Sequence, residues 1–259
     1  TPEIITAAQE AGVVAAKLYP RGVTTNSADG VSDIAALWEV FVEMEKCGMV
    51  LCVHGESPGA FCLDRETEFL HELNQLAVQF SRLKIVLEHI TTAEAVDLVT
   101  KFPDTVAATI TPHHLLLTLD DVLGGKLAPH HFCKPIPKRP EDRAELIVAA
   151  TGPNPKFFLG TDSAPHLRKH KECAAGAAGI FSAPVALPLL LKVFIRARVP
   201  ELQVRLAEFA ATRGEQFYGL TPSAETIMLV HEQWRVPDDY DGIVPLCAGQ
   251  ELEWKVKRE

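Results

Sequence analysis

Four residues that could bind a metal ion or move a proton each follow a short apolar run: Lys17, His54, His89 and Asp162. The runs cover residues 13–17, 49–54, 84–89 and 156–162, and each is typical of a buried strand. The carboxyl ends of successive parallel strands meet at one end of a barrel, where active sites are assembled from residues distant in sequence. We therefore predict that the four side chains converge on a metal site.

The two histidines are suited to zinc. His54 precedes Gly55, which lets the chain turn sharply, and His89 repeats the arrangement one unit later. A neutral imidazole at such a position can bind zinc. For either histidine alone, a hydrogen bond to a neighbouring loop is the alternative explanation.

The lysine and the aspartate suggest more specialised chemistry. Lys17 follows the run Val-Val-Ala-Ala, which favours a side chain in or near the interior. Burial lowers the pKa of an amine, and a neutral lysine can add carbon dioxide to form a carbamate that bridges two metal ions. Asp162 can bind a metal and accept a proton from an activated water. The alternatives are a lysine that extends into solvent and an aspartate that caps a helix or forms a salt bridge.

The remaining histidines are weaker candidates. His166 lies in the loop after the last apolar run and could reach an anionic substrate. The pairs His113–His114 and His130–His131 also fall in predicted loops. His114 could face the site, but surface positions explain both pairs equally well.

Helical and extended segments alternate from the first residue. Predicted helices cover 2–11, 33–47, 64–80, 92–101 and 141–150, and predicted strands cover 13–19, 49–54, 84–89, 105–111 and 156–161. Crossover helices without hairpin signals indicate parallel strands. The tail is predicted to be helical at 184–197 and 201–213, with extended pieces at 226–230, 243–246 and 252–256. We predict one α/β domain over 1–259, with five strands of a barrel that would need three more.

Composition excludes several classes of function. The 259 residues are 47% hydrophobic, enough for one large core, and a net charge of −9 without a basic cluster argues against a nucleic-acid partner. No apolar run approaches the ~20 residues of a membrane span, and no secretory signal opens the sequence. Six cysteines without a CxxC pair indicate reduced thiols and a cytoplasmic location.

Five longer motifs resemble those of one enzyme family. They are AKLYP at 16–20, VHGE at 53–56, EHITT at 88–92, TITPHHL at 109–115 and LGTDSAPH at 159–166, together with the loop TTNS at 24–27. The combination is similar to that of the dihydroorotases, in their shorter, monofunctional bacterial-type class within the amidohydrolase superfamily. The resemblance extends over essentially the whole sequence, in order.

This resemblance implies a (β/α)₈ TIM-type barrel with two zinc ions. Carbamylated Lys17 would bridge the ions, His54 and His89 would bind the more exposed one, and the buried one would be held by Asp162. The implied reaction is the reversible cyclisation of N-carbamoyl-L-aspartate to (S)-dihydroorotate in pyrimidine biosynthesis. Asp162 would be the general base, which takes a proton from the attacking hydroxide and passes it to the leaving nitrogen.

Substrate contacts are also implied by the resemblance, for His54, Thr24, Thr25, Lys134, His166 and Ala178. The two threonines match a mobile loop that closes over the substrate and excludes water. His166 and the main chain of Ala178 match positions that hold the substrate carboxylate. Lys134 stands where bacterial members usually have an apolar residue. The implied contact comes from its main chain, so it survives the change of side chain.

The beginning of the sequence departs from the family pattern. The family has a His-x-His pair at the end of its first strand, followed by an arginine and later an asparagine that grip the substrate, and none of these precedes Lys17. The buried zinc would then keep two ligands, short of the ~four it usually has. We expect that the sequence lacks an N-terminal portion and that these residues alone are inactive.

Two alternatives remain at the level of the sequence. One is another cyclic-amide hydrolase, such as a hydantoinase or allantoinase. The other is a non-catalytic dihydroorotase-like subunit that binds a partner enzyme of the pyrimidine pathway. Members of the family often form homodimers, and the resemblance allows that assembly here, although no stretch of the sequence identifies an interface.

Overall fold

A computed structural model describes residues 1–25 and 27–258. Asn26, which belongs to the predicted substrate loop, and Glu259 lie outside the described residues. The central feature is a five-stranded parallel sheet in the order β1-β2-β3-β4-β5. Its strands are β1 Ala15–Leu18, β2 Val50–His54, β3 Ile85–Glu88, β4 Val106–Ile110 and β5 Phe157–Leu159. The prediction of five parallel strands is confirmed.

Crossover helices connect these strands, as the alternation of the sequence predicts. The helices of this part of the chain are α1 Pro2–Glu10, α2 Trp38–Cys47, α3 Arg65–Gln79, α4 Ala93–Lys101, α5 Asp120–Leu123, α6 Pro140–Thr151 and α7 Arg168–Lys171. On α3, the buried positions Phe69, Leu73 and Leu76 follow the 3.6-residue period and pack into the main core. Strands β2 and β4 are buried along their whole length, as expected of a sheet covered on both faces.

The edge strand is shorter than predicted. The predicted strand 13–19 is reduced to Ala15–Leu18, and Val13 and Val14 are 45% and 43% exposed. Within the described residues, β1 pairs with one neighbour, β2, so the residues that precede its four-residue ladder have no strand to cover them. Strand β3 also ends one residue earlier than predicted, which places His89 immediately after the sheet.

The C-terminal part differs more from the prediction. Its helices are α8 Ala186–Arg196, α9 Leu202–Ala207 and α10 Arg213–Tyr218, and a π-helical segment, Glu208–Thr212, joins the last two. The predicted extended pieces at 226–230 and 252–256 are parts of longer strands, β6 Ile227–Arg235 and β7 Glu251–Arg258, which pair antiparallel. The piece at 243–246 forms isolated bridges instead of a strand. None of the helices in the described part of the chain has the length and apolar character that crossing a bilayer requires.

Gly160, directly after β5, lies in close contact with the neighbouring strand β4. A Cβ on Gly160 would lie 2.6 Å from Cβ and 2.8 Å from Oγ1 of Thr109. Thr109 lies on the neighbouring strand β4, and its hydroxyl accepts a hydrogen bond from the main-chain N–H of His89 at 2.7 Å. The missing side chain therefore leaves the space in which Thr109 holds the turn after β3.

We expect Gly160→Ala to lower the free energy of unfolding by about 1–3 kcal/mol, the usual cost of adding a methyl group where packing leaves no space. Urea denaturation measures the change. Gly125→Ala is the matched control, because nothing lies within 4 Å of a Cβ built there. Equal destabilisation by the two substitutions would contradict the packing explanation.

Candidate active site

A cavity of about 220 Å³ opens at the carboxyl end of the parallel sheet. Its lining residues are Tyr19, Thr24, Thr25, His54, His89, Lys134, Asp162, Ala164, His166, Ala178 and Gly179. The cavity therefore brings together three of the four predicted metal-binding residues and all of the predicted substrate residues. The fourth, Lys17, is the last residue but one of β1, and its Nζ lies 4.8 Å from the centroid of the Tyr19 ring.

The lysine and the aspartate affect each other electrostatically. Burial lowers the pKa of Lys17 to about 8, although the charges of Cys52 and Asp162 oppose the shift. Burial raises the pKa of Asp162 to about 6, against the effect of Lys17, even though part of the aspartate side chain faces the open cavity. The Lys17 ammonium forms an ion pair with Glu88. An amine with a lowered pKa has a larger neutral fraction near pH 7, and that is the form that reacts with carbon dioxide.

The first histidine of the site is held by a carboxylate. His54 is buried at the end of β2, and its Nε2 lies 2.7 Å from Oε2 of Glu56. Burial lowers the pKa of His54, which favours the neutral ring. When Nε2 carries the proton and donates it to Glu56, the lone pair of Nδ1 remains available for a metal. A carboxylate that orients a metal-binding histidine in this way is common in metalloenzymes.

The second histidine has an unpartnered nitrogen. Nδ1 of His89 is buried and has no hydrogen-bond partner among the described residues. The ring lies 4.7 Å from that of His54, centroid to centroid, and burial lowers its pKa well below the ordinary value. A buried polar atom without a partner is unfavourable unless something binds it. Two neutral imidazoles and a carboxylate form a donor set that fits zinc.

Two of these residues adopt unusual backbone conformations. His89 has a φ of 48° and Asp162 has a φ of 39°, in the left-handed region that residues other than glycine rarely occupy. His89 directly follows β3, Asp162 lies three residues after β5, and both residues line the cavity. Such strain is found at sites where the surrounding structure holds a residue in place. The apolar pattern of the sequence gave no sign of it.

A buried carboxylate holds the turn after His89. Glu66, on the first turn of α3, accepts hydrogen bonds from both the main-chain N–H and the hydroxyl of Thr91 and of Thr92, at 2.6–2.9 Å. Burial raises the pKa of Glu66, and the hydrogen bonds from Thr92 and Thr91 and the charge of Lys138 oppose that rise. Sequence reasoning missed this residue, because a glutamate in the first turn of a helix is ordinarily exposed.

Three of the predicted substrate residues, Thr25, His166 and Ala178, are joined by hydrogen bonds at the cavity. Nε2 of His166 lies 3.0 Å from the carbonyl oxygen of Ala178, and Oγ1 of Thr25 accepts a hydrogen bond from the Ala178 N–H at 3.3 Å. The Ser27 hydroxyl accepts a hydrogen bond from the Thr24 N–H and donates one to the Thr24 carbonyl oxygen. Thr25 and Ala178, 153 residues apart in sequence, are thus in contact.

The two histidine pairs behave differently. His113 and His114 are 0% and 2% exposed, so the surface interpretation of this pair is wrong. They follow β4 directly and turn into the interior, where burial lowers both pKa values. His130 and His131 are only partly buried, and His130 pairs with Glu172 at 2.8 Å. The surface interpretation therefore fits the second pair.

Relatives with the same organisation are known. A dihydroorotase of Teredinibacter turnerae is 46% identical to the chain over 265 residues, covering 100% of the chain and 76% of the relative. A dihydroorotase of an Azoarcus species is 47% identical over 98% of the chain and 76% of its own length. The chain belongs to the dihydroorotase family. Dihydroorotases are zinc-dependent cyclic-amide hydrolases, so the predicted enzyme class is confirmed.

Solved structures agree with this assignment, although no family model matches the sequence. Dihydroorotase of Saccharomyces cerevisiae, in complex with 5-fluoroorotic acid, superposes with a TM-score of 0.93 at 35% identity, over 100% of this chain and 78% of that one. The Campylobacter jejuni dihydroorotase gives 0.89 at 39% identity, over 99% and 75%. A D-hydantoinase at 16% identity and a TM-score of 0.80 shares the fold alone. The predicted amidohydrolase barrel class is confirmed, and the five-stranded sheet forms part of such a barrel.

We expect Glu66→Gln to lower the free energy of unfolding by about 1.5–3 kcal/mol, the range for hydrogen bonds to a charged group. The amide would also present donors to the N–H groups of Thr91 and Thr92, so their hydrogen exchange should accelerate. Urea denaturation and exchange rates at these two amides measure the effects. The control is Glu68→Gln, an exposed glutamate on the same helix turn. Unchanged exchange at both amides would contradict the role of Glu66.

In the metal-free protein, we expect Asp162→Asn to raise the free energy of unfolding near pH 7.5 and to raise it clearly less near pH 4.5. Burial raises the folded-state pKa to about 6. The folded chain therefore binds this proton more tightly than the unfolded chain, with a pKa of about 3.9, does. The contribution of Asp162 to stability then falls as the pH rises from about 4 to about 6. Urea denaturation at both pH values, with exposed Asp104→Asn as control, measures this. An effect independent of pH would contradict the shifted pKa.

Proposed function

We propose that this chain supplies much of the zinc centre and the substrate pocket of an active dihydroorotase. The reaction would be the reversible cyclisation of N-carbamoyl-L-aspartate to (S)-dihydroorotate in pyrimidine biosynthesis. The main support is the convergence of His54, His89 and Asp162 on one cavity in a chain that matches dihydroorotases along its whole length.

Two zinc ions would occupy the centre of the complete protein. Lys17, as a carbamate, would bridge them, while Nδ1 of His54 and a ring nitrogen of His89 would bind one ion and Asp162 the other. Bound zinc supplies a hydroxide nucleophile near neutral pH and polarises the ring carbonyl of the substrate. Zinc usually has about four ligands, so two ions need more groups than these four residues provide. The chain spans 76% of the length of the Teredinibacter relative, which is consistent with the expectation that further ligands lie outside these residues.

Asp162 would carry the proton during the reaction. Its carboxylate faces the cavity, and its neighbour Lys17 is close enough to affect its pKa. In ring opening, the aspartate accepts a proton from the attacking nucleophile and delivers it to the nitrogen that leaves the carbonyl carbon. In ring closure, the same carboxylate takes the proton from that nitrogen. A general base whose pKa lies near the working pH suits both directions.

The contacts around Ala178 would bind the substrate carboxylate. His166 already lies 3.0 Å from the Ala178 carbonyl oxygen, so its ring is oriented along this wall. Thr24 and Thr25 would donate hydroxyl hydrogen bonds from the loop that covers the cavity. The main chain of Lys134 would contact the ring amide. Together these groups would exclude water and orient the dihydropyrimidine ring over the metal-binding residues.

Location and assembly are also proposals. All six cysteines are free thiols, which agrees with a reducing cytoplasmic environment. A homodimer is proposed from the resemblance to the family. The hydantoinase alternative rests on similarity of fold. A non-catalytic subunit would show loss of metal ligands, whereas every expected ligand from Lys17 onward is kept in this chain.

We expect Asp162→Asn in the full-length protein to reduce turnover of dihydroorotate by about 10²–10⁴-fold, the range for loss of a general base. Lys17→Ala should abolish turnover and also reduce bound zinc. Ring opening and closure are followed in both directions, with zinc content measured on the same samples. Exposed Asp104→Asn serves as the control and should retain wild-type turnover.

Three results would contradict the proposal. Retained turnover in Lys17→Ala would exclude the carbamate role. Preference of the full-length protein for hydantoin or allantoin over dihydroorotate would favour the other cyclic-amide hydrolases. A full-length protein without zinc and without turnover on any of these substrates would favour the non-catalytic subunit.

A further inference from the structure

A second group of metal-binding side chains lies in the interior, outside the residues assigned to the zinc centre. His113, His114 and Cys133 are 0%, 2% and 1% exposed, and one ligand atom from each lies within 4.8 Å of the others. Neither ring nitrogen of His113 has a hydrogen-bond partner among the described residues. A fully buried imidazole with both nitrogens unpartnered is costly, which points to a bound group.

One distance in this group matches the separation of two ligands around a tetrahedral zinc ion. Sγ of Cys133 lies 3.6 Å from Nε2 of His114. Bond lengths of about 2.3 Å to sulfur and about 2.0 Å to nitrogen at a tetrahedral angle separate the two atoms by about 3.5 Å. The carbonyl oxygen of Pro135 lies 3.0 Å from the same Nε2 and 3.3 Å from the same Sγ. It therefore lies next to two of the three side-chain donor atoms.

The hydrogen bonds of His114 allow the tautomer that a metal requires. Its Nδ1 lies 2.9 Å from the hydroxyl oxygen of Thr111, which can accept the Nδ1 proton. Nε2 is then free to bind a cation instead of donating to Pro135. Imidazole and thiolate donors favour zinc, whereas magnesium and calcium favour oxygen donors. An outer hydrogen bond from the other ring nitrogen is a regular feature of such histidines.

We propose that His113, His114 and Cys133 bind a structural zinc ion, with the Pro135 carbonyl oxygen as the fourth ligand. This ion would be additional to the pair in the candidate active site. On binding, the Cys133 thiol loses its proton to solvent and the sulfur–zinc bond forms. Burial raises the pKa of that thiol, so the sulfur is protonated until a metal replaces the proton.

The position of this site gives it a structural role. Lys134 lies between Cys133 and Pro135 in sequence and lines the substrate cavity. The histidines follow β4 directly, so an ion at this point would join the end of β4 to the segment that carries Lys134. We expect the bound zinc to fix the main chain of Lys134 at the cavity wall.

Cobalt substitution tests the proposal. The full-length protein is stripped of metal, its exposed cysteines are alkylated in the folded state, and Co²⁺ is added. We expect near-ultraviolet absorption from thiolate-to-cobalt charge transfer, because one cobalt has a sulfur ligand, whereas none of the residues assigned to the active site is a cysteine. Cys133→Ser should lose this band and about one equivalent of metal. Cys52→Ser changes another buried cysteine and is the matched control. It should keep the absorption band and the full metal content.

Absence of the band in the wild-type protein, or a band that survives Cys133→Ser, would overturn the proposal. If Cys133→Ser does not fold, X-ray absorption of the zinc-loaded wild-type and Cys52→Ser proteins decides instead. A sulfur neighbour at about 2.3 Å from zinc is expected in both. Zinc with only nitrogen and oxygen neighbours would contradict a site at Cys133.

Discussion

The chemistry of this protein depends on the desolvation of ionisable groups at one edge of a parallel sheet. The parallel strands bring Lys17, His54 and His89 to the carboxyl end of the sheet, and the loop after β5 adds Asp162. Burial disfavours the charged form of each group, so the amine and the imidazoles become better donors and the carboxylate becomes a better base. A pair of metal cations would offset the cost of this arrangement.

The site also needs a main chain that is held in uncommon conformations. His89 lies in the left-handed region, and Glu66 and Thr109 hold it from two sides through hydrogen bonds to the turn and to its own N–H. Gly160 provides the space for Thr109 on the neighbouring strand. The conformation of one metal-binding residue therefore depends on a helix, a strand and a glycine that do not touch the metal themselves. This is how rigid elements position a site more accurately than its own loop could.

Much of this could be predicted from the sequence, because the signal was local. The apolar runs identified five parallel strands, and three of the four residues predicted at or just beyond the ends of these runs line the cavity. Other features depend on contacts between distant segments. The burial of His113 and His114 follows from packing below the loop at Cys133, and the role of Glu66 follows from the turn at Thr91, 25 residues away. The exposure of Val13 and Val14 depends on the position of β1 at the edge of the sheet, which an apolar run does not reveal.

The most direct test of the central claim is anomalous diffraction at the zinc edge from a crystal of the zinc-loaded protein. The convergence of these groups predicts zinc density within bonding distance, about 2.0–2.2 Å, of a ring nitrogen of His54 and of His89 and of a carboxylate oxygen of Asp162, with Lys17 modified beside it. Zinc bound elsewhere, with these side chains unliganded and Lys17 still paired with Glu88, would contradict it.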